Sequence, residues 1–255
     1  PGGTLIAFAL KIISQKFPGK EIDNRLLTLV MRSAQTARSE IMSAKNRTGS
    51  LAEILGPNYF KRYLDLFDSE IFLKPNKEKP GSGSTTHMSV IDSQGNAASV
   101  TTTNGEGCGY IIPDTGIMMN NILGEEDLNP DGFHNWETTK RMETMMSPTI
   151  VIGDFGPELV LGSGGSNRIR SAIKQVILNK FTKDMNLEEA IQAPRIHLEE
   201  NIIHCESGIN TAKLSFPWST IHHWHEKNLF FGGVNAVTPT NAVGDPRRSG
   251  YGLVR

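Results

Sequence analysis

This chain lacks an excess of charge of either sign, long apolar runs, and cysteines at metal-ligand spacing. Its 26 basic residues balance 27 acidic ones, so no electrostatic case arises for nucleic acid or an anionic membrane surface. No run reaches the roughly 20 apolar residues that a membrane helix needs, and no export-type segment appears. The two cysteines, Cys108 and Cys205, lie far apart and match no metal spacing; they either pair or stay as two buried thiols. A lysine of the phosphate-loop kind is missing from the glycine-rich run Gly162-Ser163-Gly164-Gly165-Ser166-Asn167, which argues against nucleotide binding. The 255 residues and 38% apolar content suffice for one globular unit with a sizeable core.

What the chain does have is a change of pattern near its first third. Residues 5–13 are apolar nearly all round and read as a buried helix. Residues 23–42 carry Leu26, Val30, Ala34, Ala37 and Ile41 on one face, an amphipathic helix. A short helix is expected over 58–67. From 70 to 84 the composition turns to Lys, Pro, Gly and Ser, a linker. Strand signals then follow at 87–92 and 97–103 around the turn Ser93-Gln94-Gly95-Asn96, and at 149–152 and 158–162 around Gly153-Asp154-Phe155-Gly156. Ile169, Ile173, Val176 and Ile177 share a helical face, and Asn186 with Glu189 forms a capping-box pattern for a helix ending near Pro194. Periodicity alone gives a mixed α and β chain without internal repeats.

The chemistry-bearing stretch is Gly81-Ser82-Gly83-Ser84-Thr85-Thr86-His87-Met88. A polar linker running into a strand that opens with threonine suits a nucleophile exposed by cutting before Thr85. A threonine hydroxyl is weak and needs a base. The freed α-amine, with a pKa of about 7.7–8, can serve. The plain alternative is that Thr85 merely opens a strand.

Five further pieces follow in order: Ala97 to Thr103, Gly116-Ile117-Met118-Met119-Asn120-Asn121, Met146-Ser147-Pro148-Thr149, Gly164-Gly165-Ser166-Asn167-Arg168, and Ala193-Pro194-Arg195-Ile196-His197 with Asp245-Pro246-Arg247-Arg248. Together with Thr85 this set resembles the γ-glutamyltranspeptidase family of N-terminal-nucleophile hydrolases. The resemblance implies an α+β fold, the four-layer αββα sandwich. It implies an 84-residue end of a large-subunit region (1–84) and a small-subunit region (85–255). It also implies that a longer large-subunit segment precedes this chain, so the compartment stays open. Thr85 would be the nucleophile, first in self-cleavage and then in amide turnover. Thr103 would hold its hydroxyl, and the backbone amides of Gly165 and Ser166 would stabilise the oxyanion, with Gly164 and Gly165 as the one-residue-shifted alternative. No cofactor is implied. The expected partners are a γ-glutamyl donor, an amino-acid, peptide or water acceptor, and the rest of the large-subunit region.

Substrate-binding positions depart from the family pattern. An asparagine position corresponds to Gly105, a Gln/Glu position to Ile122, and an aspartate position to Glu125. The carboxylate-gripping serine pair corresponds to Thr144 and Met145. The stretch 127–142 is shorter than in members with a lid loop. A weaker grip on free γ-glutamyl groups and a bulkier acyl group are expected, since a desolvated ammonium or carboxylate needs polar partners. An acylase of another amide, or an unprocessed inactive subunit, are the rival readings. His222, His223 and His225 are read as a solvated helix face rather than metal ligands. His87 is read as structural, and Arg195, His197, Asp245, Arg247 and Arg248 as packing and salt links.

Overall fold

Alternating β-branched and polar residues make the hairpin that starts at Thr85. In a computed structural model that describes residues 2–42, 55–69, 84–125, 128–129, 132–135, 139, 142 and 144–255, β1 (Thr85–Ile91) pairs antiparallel with β2 (Ala97–Thr103). The register sets Thr85 opposite Thr103. The turn is closed by the Asp92 carboxylate, which accepts the N–H groups of Gln94 (2.9 Å) and Asn96 (2.8 Å), while Gly95 supplies φ +84°.

A second sheet of order β3-β4-β8-β9 lies beneath this hairpin: β3 (Thr149–Gly153), β4 (Gly156–Gly164), β8 (Gly233–Thr238) and β9 (Asn241–Val243). The two sheets meet through a polar inner face. Ser99 Oγ donates to Leu161 O (3.2 Å), and Asn235 Nδ2 donates to His87 O (2.9 Å). Gly162 makes room for the His87 ring, which a Cβ there would strike. On its other face the sheet buries Leu159, Leu161, Val234 and Ala236 against α4 (Ile169–Thr182), α5 (Leu187–Gln192) and Ile6 of α1 (Gly2–Lys16). α5 starts with the expected capping box between Asn186 and Glu189. A second core joins α1, α2 (Asn24–Met42) and α3 (Pro57–Ser69) to a third sheet, β5 (Ile196–Glu199), β6 (Ile202–Cys205) and β7 (Thr220–His223).

The α+β class expected from the sequence is thus present. Two sheets and one helical side stack among the described residues. The outward face of the hairpin leaves Met88, Val90 and Val100 about half exposed. The linker expected at 70–84 lies outside the described residues, apart from Ser84.

Three readings of the sequence need correction. His222 and His223 end a strand, not a helix: β7 pairs in parallel with β6, which joins residues eighteen apart in sequence and overrides local pattern. Cys108 is exposed and Cys205 buried, both as free thiols, so neither the paired nor the doubly buried alternative holds. Residues 27–38 of α2 are buried on every side, because the polar face meets distant backbone. Gln35 donates to Leu198 O (2.6 Å), and Arg32 donates to Glu200 O (2.8 Å).

Arg195, Asp245 and Arg247 do form the expected salt links. Arg195 Nη2 lies 2.6 Å from Asp245 Oδ2, and Arg247 Nη2 lies 2.6 Å from Glu206 Oε2, all four side chains buried. Burial alone would raise the Asp245 carboxyl, but Arg195 and Arg247 outweigh it and hold it below the usual carboxylate range. Asp245→Ala would leave the buried Arg195 guanidinium without its carboxylate, while Arg247 keeps Glu206, and cost about 3–5 kcal/mol in urea unfolding. A loss of about 1 kcal/mol or less, the size of an exposed pair, would contradict this.

His87 is buried and neutral. Ser89 Oγ donates to Asn235 O (3.3 Å), so it accepts from His87 Nε2 (2.8 Å), and Nδ1 accepts from the Thr101 hydroxyl (2.8 Å). Burial pushes the His87 imidazole down to about 4, and burial chiefly does the same to His204. The unfolded chain therefore binds more protons than the folded one between about pH 6.5 and 4. Stability from these groups is complete above pH 6.5 and falls as the pH drops towards 4. Melting temperatures across that window should decline, and His87→Gln should flatten part of the decline; an unchanged slope in the variant would contradict the assignment.

Candidate active site

Thr85 opens β1 on the inner face of the hairpin, and the register brings the Thr103 side chain beside it. Thr85 Oγ1 donates to Thr103 Oγ1 at 3.1 Å, and Thr103 Oγ1 also accepts the Gly105 N–H at 3.0 Å. The Thr103 oxygen is therefore fixed from the backbone side, which fixes in turn where the Thr85 hydroxyl points. Ser84 is bound just upstream: its N–H donates to Gly105 O (2.6 Å), and its carbonyl accepts the Asn104 N–H (3.3 Å). While Thr85 is joined to Ser84, its nitrogen is an amide and carries no basic lone pair.

The two hydroxyls line a cleft of about 350 Å³, measured with its open mouth, together with Ile122, Glu125, Leu128, Thr144, Met145, Met146, Ser166 and Ile169. Six positions singled out in the sequence beyond Thr85 thus converge on it: Thr103, Ile122, Glu125, Thr144, Met145 and Ser166. With Thr85 they come from five separate stretches of chain.

Gly105 sits at φ +64°, and a side chain there would strike Asn121 Oδ1 and come within 3.0 Å of Glu125 Oε1. The bare glycine therefore leaves space that the Glu125 carboxylate fills. Asn121 ties the two loops together. Its Oδ1 accepts the Glu106 N–H (2.8 Å), and its N–H donates to Asn104 O (3.1 Å). On the opposite wall, Thr144 O accepts the Gly2 N–H at the start of α1 (3.2 Å), and Thr144 Oγ1 accepts the Met146 N–H (3.0 Å).

The glycine-rich run lies next to Thr85. Gly164 carries no side chain where the Thr85 carbonyl packs against it. Gly165 is at φ +124°, and Ser166 at φ +51°, a left-handed conformation unusual for a non-glycine residue. Among the described residues, no hydrogen bond is made by the N–H of Gly165 or Ser166. Both precede a 3-10 turn (Ser166–Arg168) that leads into α4, so they stand at the positive end of a helix dipole. Two free donors beside a hydroxyl nucleophile are the arrangement that stabilises a developing oxyanion.

Behind this run a turn holds it in place. The Cα of Gly232 would meet a Cβ on Gly165 at 2.9 Å, and Ser163 Oγ bridges Gly164 O (2.7 Å) and the Gly233 N–H (3.1 Å). Arg195 Nη1 in turn donates to Phe231 O (3.2 Å).

Leu128 also lines the cleft and was not singled out from the sequence, while Met146 stood in a quoted motif and Ile169 on a helical face, neither with a role at the cleft; an apolar residue carries no signal of the cleft it faces. Asn121 belongs to a quoted motif but had no assigned role. Among the described residues no group of three or more His, Cys, Asp or Glu side chains is placed to hold a metal. Half of the stretch 127–142, read as a shortened lid region, lies outside the described residues.

Comparison with known proteins points one way. The glutathione hydrolase proenzyme of Bacillus subtilis (strain 168) is 39% identical over 159 residues, covering 61% of this chain and 27% of its own length. The acylase ACY 1 proenzyme of Pseudomonas sp. (strain SE83) is 32% identical over 158 residues, covering 61% of this chain and 28% of its own length. The chain thus spans little more than a quarter of these two curated relatives. Among solved structures, gamma-glutamyltranspeptidase from Pseudomonas nitroreducens complexed with L-DON superposes with TM-score 0.55 at 27% identity, over 67% of this chain and 99% of that one. Cephalosporin acylase from Bacillus halodurans gives TM-score 0.73 over 99% of this chain and 49% of its own; at 18% identity this likeness concerns the fold. The gamma-glutamyltranspeptidase family model matches residues 1–254, and with Thr85, Thr103 and the Gly164–Ser166 run gathered at one cleft, the chain belongs to that family.

Proposed function

We propose that this chain is the catalytic part of a γ-glutamyltranspeptidase-like amidase that matures by cutting itself before Thr85. The observation that carries the reading is the 3.1 Å bond between Thr85 Oγ1 and Thr103 Oγ1 inside a cleft that also contains Glu125, Thr144 and Ser166. In maturation the Thr85 hydroxyl attacks the Ser84 carbonyl carbon. The C–N bond breaks, an ester forms, and water hydrolyses it. Residues 1–84 and 85–255 then belong to separate polypeptides, and Thr85 gains a free α-amine.

That amine takes the hydroxyl proton when Thr85 attacks a substrate amide. The N–H groups of Gly165 and Ser166 hold the oxyanion of the tetrahedral intermediate. The same proton then passes to the leaving amine. Water, or the amine of an amino acid or peptide, releases the acyl group. Glu125 receives the ammonium of the donor, and the Thr144 hydroxyl, with Gly164 alongside, receives a polar group at its other end. Every group in this sequence belongs to the protein.

A second reading, an acylase of a different amide, draws on the cleft lining. Ile122, Leu128, Met145, Met146 and Ile169 are apolar where a free γ-glutamyl group needs polar contacts. Low turnover of γ-glutamyl-p-nitroanilide beside faster turnover of bulkier, more apolar acyl donors is the expected result of a donor panel. Turnover of that reagent comparable to a well-behaved family member would exclude the apolar-donor reading.

Thr85→Ala should leave the polypeptide uncut on denaturing electrophoresis and without amide turnover, while Thr85→Ser retains both more slowly. Thr103→Val should slow maturation roughly 10²-fold, the low end of the range for a positioned proton-transfer partner. A wild-type chain that stays as one band and turns nothing over is an inactive subunit, and the proposal then fails.

A further inference from the structure

A second cavity lies between α1, α2, α4 and β5. Its polar lining is Gln35, Arg170, Ser171, Lys174 and His197, and it shares no residue with the cleft around Thr85. Lys174 is 3% exposed. Among the described residues no carboxylate pairs with it, and the charged neighbour that acts on it is another cation, Arg170. A buried ammonium without counter-charge is costly.

The surroundings compound this. His197 is 3% exposed, and burial together with Arg168, Arg170, His204 and Lys174 drives its imidazole well below the ordinary histidine range. Every one of those neighbours is basic. Its Nδ1 is bonded to Ser171 Oγ at 2.8 Å, and its Nε2 is buried without a partner. Gln35, 5% exposed, uses its Nε2 on Leu198 O (2.6 Å) and leaves Oε1 without a donor. The cavity has room for about one small occupant. A water alone would complete hydrogen bonds but leave the Lys174 ammonium without counter-charge.

We propose that this cavity binds one monovalent anion of halide size, held by the Lys174 ammonium and the Nε2–H of His197. In this arrangement the Ser171 hydroxyl donates to His197 Nδ1, which places the imidazole hydrogen on Nε2. Lys174 has three N–H groups, enough to serve both the anion and Gln35 Oε1. Burial and Arg170 lower the Lys174 ammonium to about 7, so it loses its proton easily unless an anion keeps it charged. The ion would join α2 and β5 to α4, the helix that follows the Ser166 turn. The proposal is independent of the catalytic reading.

The test uses the full polypeptide that carries this chain. Thermal unfolding is measured in chloride, bromide, sulfate and gluconate at one ionic strength, for the wild type and Lys174→Met. Salts also act on any protein surface, so the readout is the difference between the two proteins. The wild type should gain a few degrees in chloride and bromide over gluconate, as a ligand that binds the native state requires. Lys174→Met should lack that gain, and sulfate, too large for the space, should produce none in either. Bromide-soaked wild-type crystals should show one anomalous peak beside Lys174. This second measurement stands even where the variant does not fold. No halide-specific gain with no peak in the cavity would overturn the proposal, as would density showing a protein carboxylate or water alone in that place.

Discussion

The close approach of β1 to the end of β4 is the contact on which the candidate site depends. Gly164 has no side chain where the Thr85 carbonyl lies, and Gly162 has none where the His87 ring lies. Any larger residue at either position would lift the hairpin off the sheet beneath it and carry the Thr85 hydroxyl away from the Gly165 and Ser166 amides. The glycines thus act through the absence of atoms. The polar inner face of the hairpin completes the fit, with the Ser89, Ser99 and Thr101 hydroxyls and the His87 ring all hydrogen-bonded within or across the layer. A buried layer this polar is tolerated because its hydrogen bonds are satisfied.

A buried ionic lattice supports the same region from behind. Asp245 accepts from Arg195 Nη2 (2.6 Å) and from the Val234 N–H (2.9 Å), and Arg195 reaches the backbone of the turn that ends at Gly232. That turn packs on Gly165. The geometry of the Gly165 and Ser166 amides is therefore set by groups spread over more than 80 residues of sequence. Such a lattice adds little net stability over an apolar core of the same shape, but losing one member leaves its partner charged and buried. Its contribution is to specify one arrangement.

What the sequence discloses follows from the range of the interactions. The hairpin at Thr85, the turn at Gly153–Gly156 and the Asn186–Glu189 capping box are local, and each appears where its residues indicate. The convergence of Thr85, Thr103, Glu125, Thr144 and Ser166 on one cleft is long-range and was legible through the family resemblance, not through periodicity. His222 and His223 belong to a strand because β6, a distant partner, supplies the pairing. The buried polar face of α2 was hidden for the same reason: the carbonyls of Leu198 and Glu200 that satisfy it lie more than 160 residues away. Nothing local marks Leu128, Met146 or Ile169 as facing the cleft, yet with Ile122 and Met145 they give it its apolar character.

The central claim is that a threonine at a new chain end carries the acyl group, and trapping that acyl group tests it most directly. The purified protein would be treated with an electrophilic acyl-donor analogue that cannot be released, and its fragments measured by mass spectrometry. The account requires a C-terminal fragment beginning Thr85-Thr86-His87 with the added mass on its first residue. An adduct on any other residue, or full amide turnover by a chain still joined at Ser84 and Thr85, would contradict it.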